Sequence, residues 1–325
     1  MPRLRAHLGV VALCCSVAAG CGDDNPQTPP VDTAPPQVTV LRPTPEEIVG
    51  SLLVCDVTAA DAAGVDSVYV SLQDSLGVEV RSQAFGAMPP FGFTVAADLL
   101  PLGRYSVCGR AIDDLGNRST WTCAVARVYP PVTLRRDDGE AEDGLFIGTP
   151  VQTAGVFENP YDVPVMVQSV ELYIWGGSAI DAPFRVVLWN VIGDTPADEL
   201  EGTALRLFRG PFGARITYEG FHSIIPAHGQ LAAGLQQTAN LPLILGYDIG
   251  TVPPARTYWF ATPAGSNDWF TLESSPAGGL ETPFIRVSIR ATGQSATQLA
   301  PAAPARPAPA VPARPRVASE WHRVH

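Results

Sequence analysis

The densest group of chemically capable side chains in this sequence is Asp137, Asp138, Glu140, Glu142 and Asp143, broken only by Gly139 and Ala141. Carboxylate oxygens gathered in a turn suit Ca2+, and calcium outside cells is abundant enough to fill weak sites. Asp137, Asp138 and Glu140 are therefore candidate ligands of a structural calcium. The competing reading is a solvated, turn-forming start to a strand. Asp61 and the group Asp113, Asp114 and Asn117 invite the same idea, but short Asp and Asn side chains also close Asx turns on their own backbone, and that reading is favoured there. His222 and His228, in Phe-His-Ser-Ile-Ile-Pro-Ala-His-Gly, would share one face of a strand. Zinc wants three or four ligands, and no cysteine or third histidine lies near in sequence. A loop or sheet-surface role outweighs a metal pair.

Nucleophile signatures are missing. There is no Gly-x-Ser-x-Gly, and no glycine-rich phosphate loop follows a strand; Trp175-Gly176-Gly177-Ser178 reads as a hairpin turn. Carboxylates are plentiful, yet nothing selects a pair at glycosidase spacing. The sequence reads as non-enzymatic. Trp175, Trp189, Trp259 and Trp269, with Tyr173, Tyr247 and Tyr258, offer rings for a sugar platform, against the demand of a sandwich core for large residues. Trp189 stands at opposite parity to Phe184, Val186 and Leu188 on a regular strand.

The cysteines follow strand parity. Tyr105, Val107, Gly109 and Ala111 alternate inward, so Cys108 faces outward, whereas Cys55 shares an inward face with Leu53 and Val57. Folding a hairpin about Leu115-Gly116 sets Cys108 opposite Cys123. Opposed positions bring Cβ atoms to about 4.5–5.5 Å, near bonding range. A Cys108–Cys123 disulfide with Cys55 free is expected. A Cys55–Cys108 bond, the antibody-like alternative, needs Cys108 to face inward.

These residues must be held by a framework that composition bounds. The chain has 325 residues, 46% hydrophobic and only 16% charged, with 30 Gly and 32 Pro. Short β-branched runs separated by many turns predict an all-β protein of two sandwiches joined by Pro-rich segments. Strands are expected at Val38–Val40, Leu53–Ala59, Val68–Leu72, Phe91–Val95, Ser106–Ile112 and Trp121–Val128. A second set is expected at 165–175, 184–189, 214–218, 230–236, 257–261 and 283–290. The net charge of −11 argues against nucleic acid, which needs a basic footprint. The domains expected are a signal at 1–20, a flexible tether at 21–36, a first sandwich at 37–130 and a linker at 131–136. A second sandwich follows at 137–293, then a disordered Pro/Ala-rich tail at 294–325.

Three resemblances add to this reading. Arg3 and Arg5, the short apolar run from Leu8 and Ala18-Ala19-Gly20-Cys21 resemble a bacterial lipoprotein signal with its lipobox. That implies cleavage before Cys21, acylation of its thiol and, with Gly22 in place of Asp, transfer to the outer membrane. An ordinary secretory signal is the alternative. Residues 37–130 resemble bacterial Ig-like repeats, carried by Pro35-Pro36-Gln37-Val38-Thr39-Val40, Ala60-Asp61-Ala62-Ala63-Gly64-Val65, Leu102-Gly103-Arg104-Tyr105 and Asp113-Asp114-Leu115-Gly116-Asn117. Residues 137–293 resemble a jelly-roll-like sandwich module of secreted bacterial proteins, carried by Asp137-Asp138-Gly139, Val170-Glu171-Leu172-Tyr173-Ile174, Phe184-Arg185-Val186-Val187-Leu188-Trp189, Gly246-Tyr247-Asp248 and Phe284-Ile285-Arg286-Val287. The likeness implies a fold and no assigned activity.

The expectation is an exported, outer-membrane-anchored lipoprotein in which an Ig-like spacer presents a sandwich with a non-catalytic binding or structural role. Its partners would be the membrane, through lipid on Cys21, and an envelope protein or glycan. A carbohydrate- or protein-binding lectin-like module is the alternative, with a hydrolase of unrecognised site behind it.

Overall fold

The computed structural model describes residues 32–146, 151–176, 178–210, 212–249, 258–261, 264–271, 281–293 and 322–324. The expected signal, Cys21, most of the tether and residues 294–321 lie outside them. The described residues from Ala34 onward belong to one compact unit. They are almost entirely strand and turn, with one 3-10 turn at Ala97–Leu99.

Eight strands build the first sandwich: β1 (Gln37–Arg42), β2 (Glu47–Val49), β3 (Leu52–Ala60), β4 (Val65–Gln73), β5 (Glu79–Phe85), β6 (Phe91–Ala96), β7 (Gly103–Asp113) and β8 (Thr122–Val128). They form a three-stranded sheet, β1-β3-β6, facing a five-stranded sheet, β2-β8-β7-β4-β5. Alternation explains the core. Leu53, Cys55 and Val57 from β3 meet Val68, Val70 and Leu72 from β4 and Tyr105, Val107 and Ala111 from β7. The Tyr105 hydroxyl donates to the Pro101 carbonyl at 3.0 Å, the tyrosine-corner contact that pins the start of a strand in Ig-like sandwiches. The β7–β8 hairpin closes on Asp113, whose carboxylate accepts the backbone N–H of Leu115 and Asn117 at 2.9 and 2.7 Å. The acidic loops of this module are Asx turns.

The second sandwich begins earlier than expected. Residues 131–136 are not a free linker, because β9 (Val132–Leu134) pairs antiparallel with β23 (Ile285–Ala291). Between them in sequence come β10 (Asp143–Phe146), β11 (Gln152–Glu158), β12 (Val165–Ile174), β13 (Pro183–Ile192), β14 (Thr195–Gly202), β15 (Arg206–Leu207), β16 (Ala214–Glu219) and β17 (Ile224–Ile225). There follow β18 (Gln230–Gln237), β19 (Leu245–Ile249), β20 (Tyr258–Ala261), β21 (Trp269–Thr271) and β22 (Glu281–Pro283). One sheet runs β24-β10-β19-β12-β23-β9, with β16 and β17 on β12 and β22 on β19, where β24 is His322–Val324. The other runs β14-β13-β18-β11-β20-β21, with β15 on β13. Trp175-Gly176 therefore does not begin a hairpin, since β12 and β13 lie in different sheets and the segment crosses between them. At the C-terminus, β24 pairs with β10, so the expectation of a tail apart from the body does not extend to those three residues.

Between the sheets, Val170, Leu172, Ile285 and Val287 pack against Phe184, Val186, Leu188, Leu231 and Leu235. Trp189 does point to the opposite face. It is nonetheless 3% exposed, because Trp269 of β21 covers it edge-on with ring centroids 5.3 Å apart. Those two rings sit in a small second core on the outer side of the sheet.

The sandwiches share packing. Tyr129 belongs to the second core, and Ile48 lies against it. The Tyr129 N–H donates to Val49 O at 2.9 Å, and a Cβ on Gly50 would stand 2.2 Å from Ala291 O. The Tyr161 hydroxyl donates to Pro130 O at 2.5 Å.

Candidate functional site

The sequence places Cys108 opposite Cys123, and the register of β7 and β8 sets them directly across from each other. They form a disulfide, while Cys55 is free and buried. The bond covers the outer face of the five-stranded sheet, so Cys108 faces away from the core yet is only 3% exposed.

The acidic opening does not converge as expected. Asp137 is taken up by Arg286, whose Nε donates to both its carboxylate oxygens at 3.0 and 3.1 Å, with a further bond from Nη2. Its side chain is fully buried and that of Arg286 is 9% exposed, so this ion pair leaves Asp137 poorly placed to serve as a calcium ligand. Asp138 accepts the Glu140 N–H at 3.0 Å in an Asx turn and donates its own N–H to Asp248. The carboxylates that do approach one another are Asp138, Glu142 and Asp248, within 4.8 Å. Glu140 is outside that group. His222 is exposed beside Glu201, and His228 occupies a turn near Tyr161.

Arg135, just before the acidic residues, walls a groove on the outer face of the nine-stranded sheet. The groove encloses about 310 Å³ and is lined by Thr133, Arg135, Ser169, Glu171, Thr217, Arg286 and Ser288. Strand register explains the set. Glu171 of β12 lies opposite Arg286 on β23 and Thr217 on β16, and Ser169 opposite Ser288, which in turn faces Thr133 of β9. Because successive residues alternate faces, the sequence neighbours of the buried pair Val170 and Val287 point outward. Arg286 donates to Glu171 Oε1 at 3.2 Å, and the hydroxyls of Thr133 and Ser288 are 3.0 Å apart. The paired carboxylates raise the Arg286 pKa further, led by the bond to Asp137.

An aromatic group lies beside the groove, beneath Arg286. Phe284 is fully buried under the guanidinium groups of Arg286 and Arg215, 4.3 and 5.2 Å from its centroid, with Tyr173 beside it at 5.6 Å. Arg215 also donates to Gly139 O, tying the acidic loop to β16. The sequence predicts a strand at 283–290 but assigns no role to its polar face; Arg286, Ser288 and Arg290, alternating with Ile285, Val287 and Ile289, are the available signal.

No protein-family model and no curated protein matches this chain. Among solved structures, carbohydrate-binding modules of the β-sandwich superfamily align at 13% identity over 66% of this chain and 97% of theirs, with a TM-score of 0.25. A structure of infectious bursal disease virus, Gx strain, aligns at 8% identity over 79% of this chain and 74% of that one, with a TM-score of 0.21. At these scores neither likeness carries an inference about this chain.

Proposed function

We propose that this chain is an exported cell-envelope lipoprotein, anchored through Cys21, whose second sandwich binds a ligand without transforming it. The observation that carries the reading is the groove over β9, β23, β12 and β16. Four hydroxyls line it, and its central charges, Arg286 and Glu171, are already paired with each other. Fixed, mutually neutralised charges surrounded by hydroxyls suit hydrogen-bonded recognition of a polar ligand better than proton transfer. The Cys108–Cys123 disulfide fits an oxidising compartment.

Within this reading, an envelope glycan is favoured over a flat protein surface by the four hydroxyls of the groove, with Tyr173 two residues from Glu171 on the same face of β12, since sugars present both hydroxyls and an apolar ring face. A glycan array probed with the full chain carrying Cys21→Ala tests it. Ser169→Leu, which fills the groove from β12, should abolish the signal. An array silent with the parent chain would sink the glycan reading. Anchoring is tested separately with a palmitate analogue, and equal labelling of wild type and Cys21→Ala would end that part.

A further inference from the structure

A second cavity, of about 380 Å³, lies where the two sandwiches meet. Its size is within the range of small-molecule sites, which favour junctions between domains and combine an apolar body with a few placed polar groups. The lining has that character. Leu102, Pro160 and the rings of Tyr129 and Tyr161 supply the apolar surface, while Arg104, Arg127, Asp162 and His228 supply the polar groups. Tyr129 and Tyr161 meet edge to face at 5.3 Å, one from each sandwich. Both hydroxyls are committed elsewhere, Tyr129 donating to Asp162 at 2.7 Å and Tyr161 to Pro130 O, so the rings present carbon to the cleft.

The arginines are the informative pair. Arg104 and Arg127 are directly opposed in the β7–β8 register. Like charges at opposed antiparallel positions are destabilising. Each has a carboxylate partner: Arg104 pairs with Glu46 and Arg127 with Asp162 at 2.7 Å. Glu46 and Asp162 are 52% and 57% exposed, and pairs this open contribute little. Each guanidinium has five N–H donors in a fork that matches a carboxylate, and the bond to its partner comes from a single terminal nitrogen in both. Donor capacity therefore remains at the mouth of an apolar cleft. His228 also lines the cleft, with φ of 53°, a left-handed conformation uncommon outside glycine, and its backbone N–H donates to Tyr161 O at 3.1 Å.

We infer that this junction cleft binds a small organic carboxylate, its apolar body against Leu102, Pro160 and the two tyrosine rings and its carboxylate between Arg104 and Arg127. The site is separate from the groove of the second sandwich and does not depend on it.

Calorimetric titration of the full chain carrying Cys21→Ala tests the inference, with phenylacetate and hexanoate as probes and phenylacetamide, hexanamide and inorganic phosphate as controls. The carboxylates should bind at least tenfold more tightly than the matched amides and than phosphate. Arg104→Gln should weaken carboxylate binding at least tenfold; it leaves the Arg127–Asp162, Tyr129–Asp162 and Tyr161–Pro130 contacts intact, and an unchanged melting temperature verifies that. Leu102→Glu, which sets a carboxylate at the rim, should weaken it as well. Amides binding as well as carboxylates, phosphate binding as well as either, Arg104→Gln binding like the parent, or no binding by either carboxylate would each overturn the inference.

Discussion

The pair Asp137–Arg286 offers a sharp test of how the groove is held. Arg286→Met keeps much of the aliphatic stem over Phe284 but removes the charge. Asp137, whose side chain has no exposure, is then left buried and uncompensated, while Glu171, 26% exposed, retains access to water. Removing one partner of a buried pair costs about 3–5 kcal/mol, whereas replacing both with apolar groups of similar volume is often neutral. At roughly 2 °C per kcal/mol for a unit of this size, Arg286→Met should lower the melting temperature by about 6–10 °C. Adding Asp137→Leu to it should restore most of that loss, so the double-mutant cycle should show a coupling at least as large as the stability recovered. Calorimetry of wild type, both single variants and the double variant measures every term. An Arg286→Met protein melting within about 2 °C of wild type, or a double variant less stable than either single, would refute the argument.

Three further outcomes follow from the same geometry. Gly50→Ala drives a methyl into the Ala291 carbonyl and should destabilise the unit by about 1–3 kcal/mol, read as a lower urea midpoint with an unchanged slope. The Tyr129 hydroxyl and then Arg127 hold the Asp162 carboxyl below its usual range. A depressed folded pKa adds stability that is present above about pH 4 and is lost as pH falls further, so wild type and Asp162→Asn should differ in melting temperature at pH 7 and converge toward pH 3. Replacing Cys108 and Cys123 with Ser removes a cross-link between residues 15 apart and should cost about 3 kcal/mol in chemical denaturation, while non-reducing peptide mapping of the parent should link those two and leave Cys55 free.

Much of the framework was legible because one-sided strands carry their own signature. Ile285, Val287 and Ile289 alternate with polar neighbours, as do Leu53, Cys55 and Val57, and both sets lie in the cores. The cysteine register was readable for the same reason, given a turn at Leu115-Gly116. Strands without alternation were missed. In β11 the residues from Gln152 to Phe157 are all buried, since Trp269 and its neighbours cover a face that local pattern marks as free. In β5 most positions are exposed, so no apolar period exists to find. Five acids in seven positions invite a cation at Asp137, and its pairing with Arg286 could not be read locally because that partner lies 149 residues away. The groove and the cleft were hidden for the same physical reason: their walls come from segments that only tertiary pairing brings together.

Cys55 has a practical consequence. It sits at the centre of the first core with no exposed surface, and burial pushes its thiol up to about 12 against a weaker opposing pull from Arg81. The thiolate is the reactive form, so in the folded protein this side chain is chemically silent at neutral pH. It becomes reactive when β3 separates from β6 and β4. A thiol reagent added to the native protein thus acts as a clock on the opening of the Ig-like sandwich. With Cys14, Cys15 and Cys21 replaced, and the other two cysteines of that sandwich bonded to each other, the clock has a single hand. The rate of label uptake, measured as a function of denaturant, would report the stability of that one layer from within the intact chain.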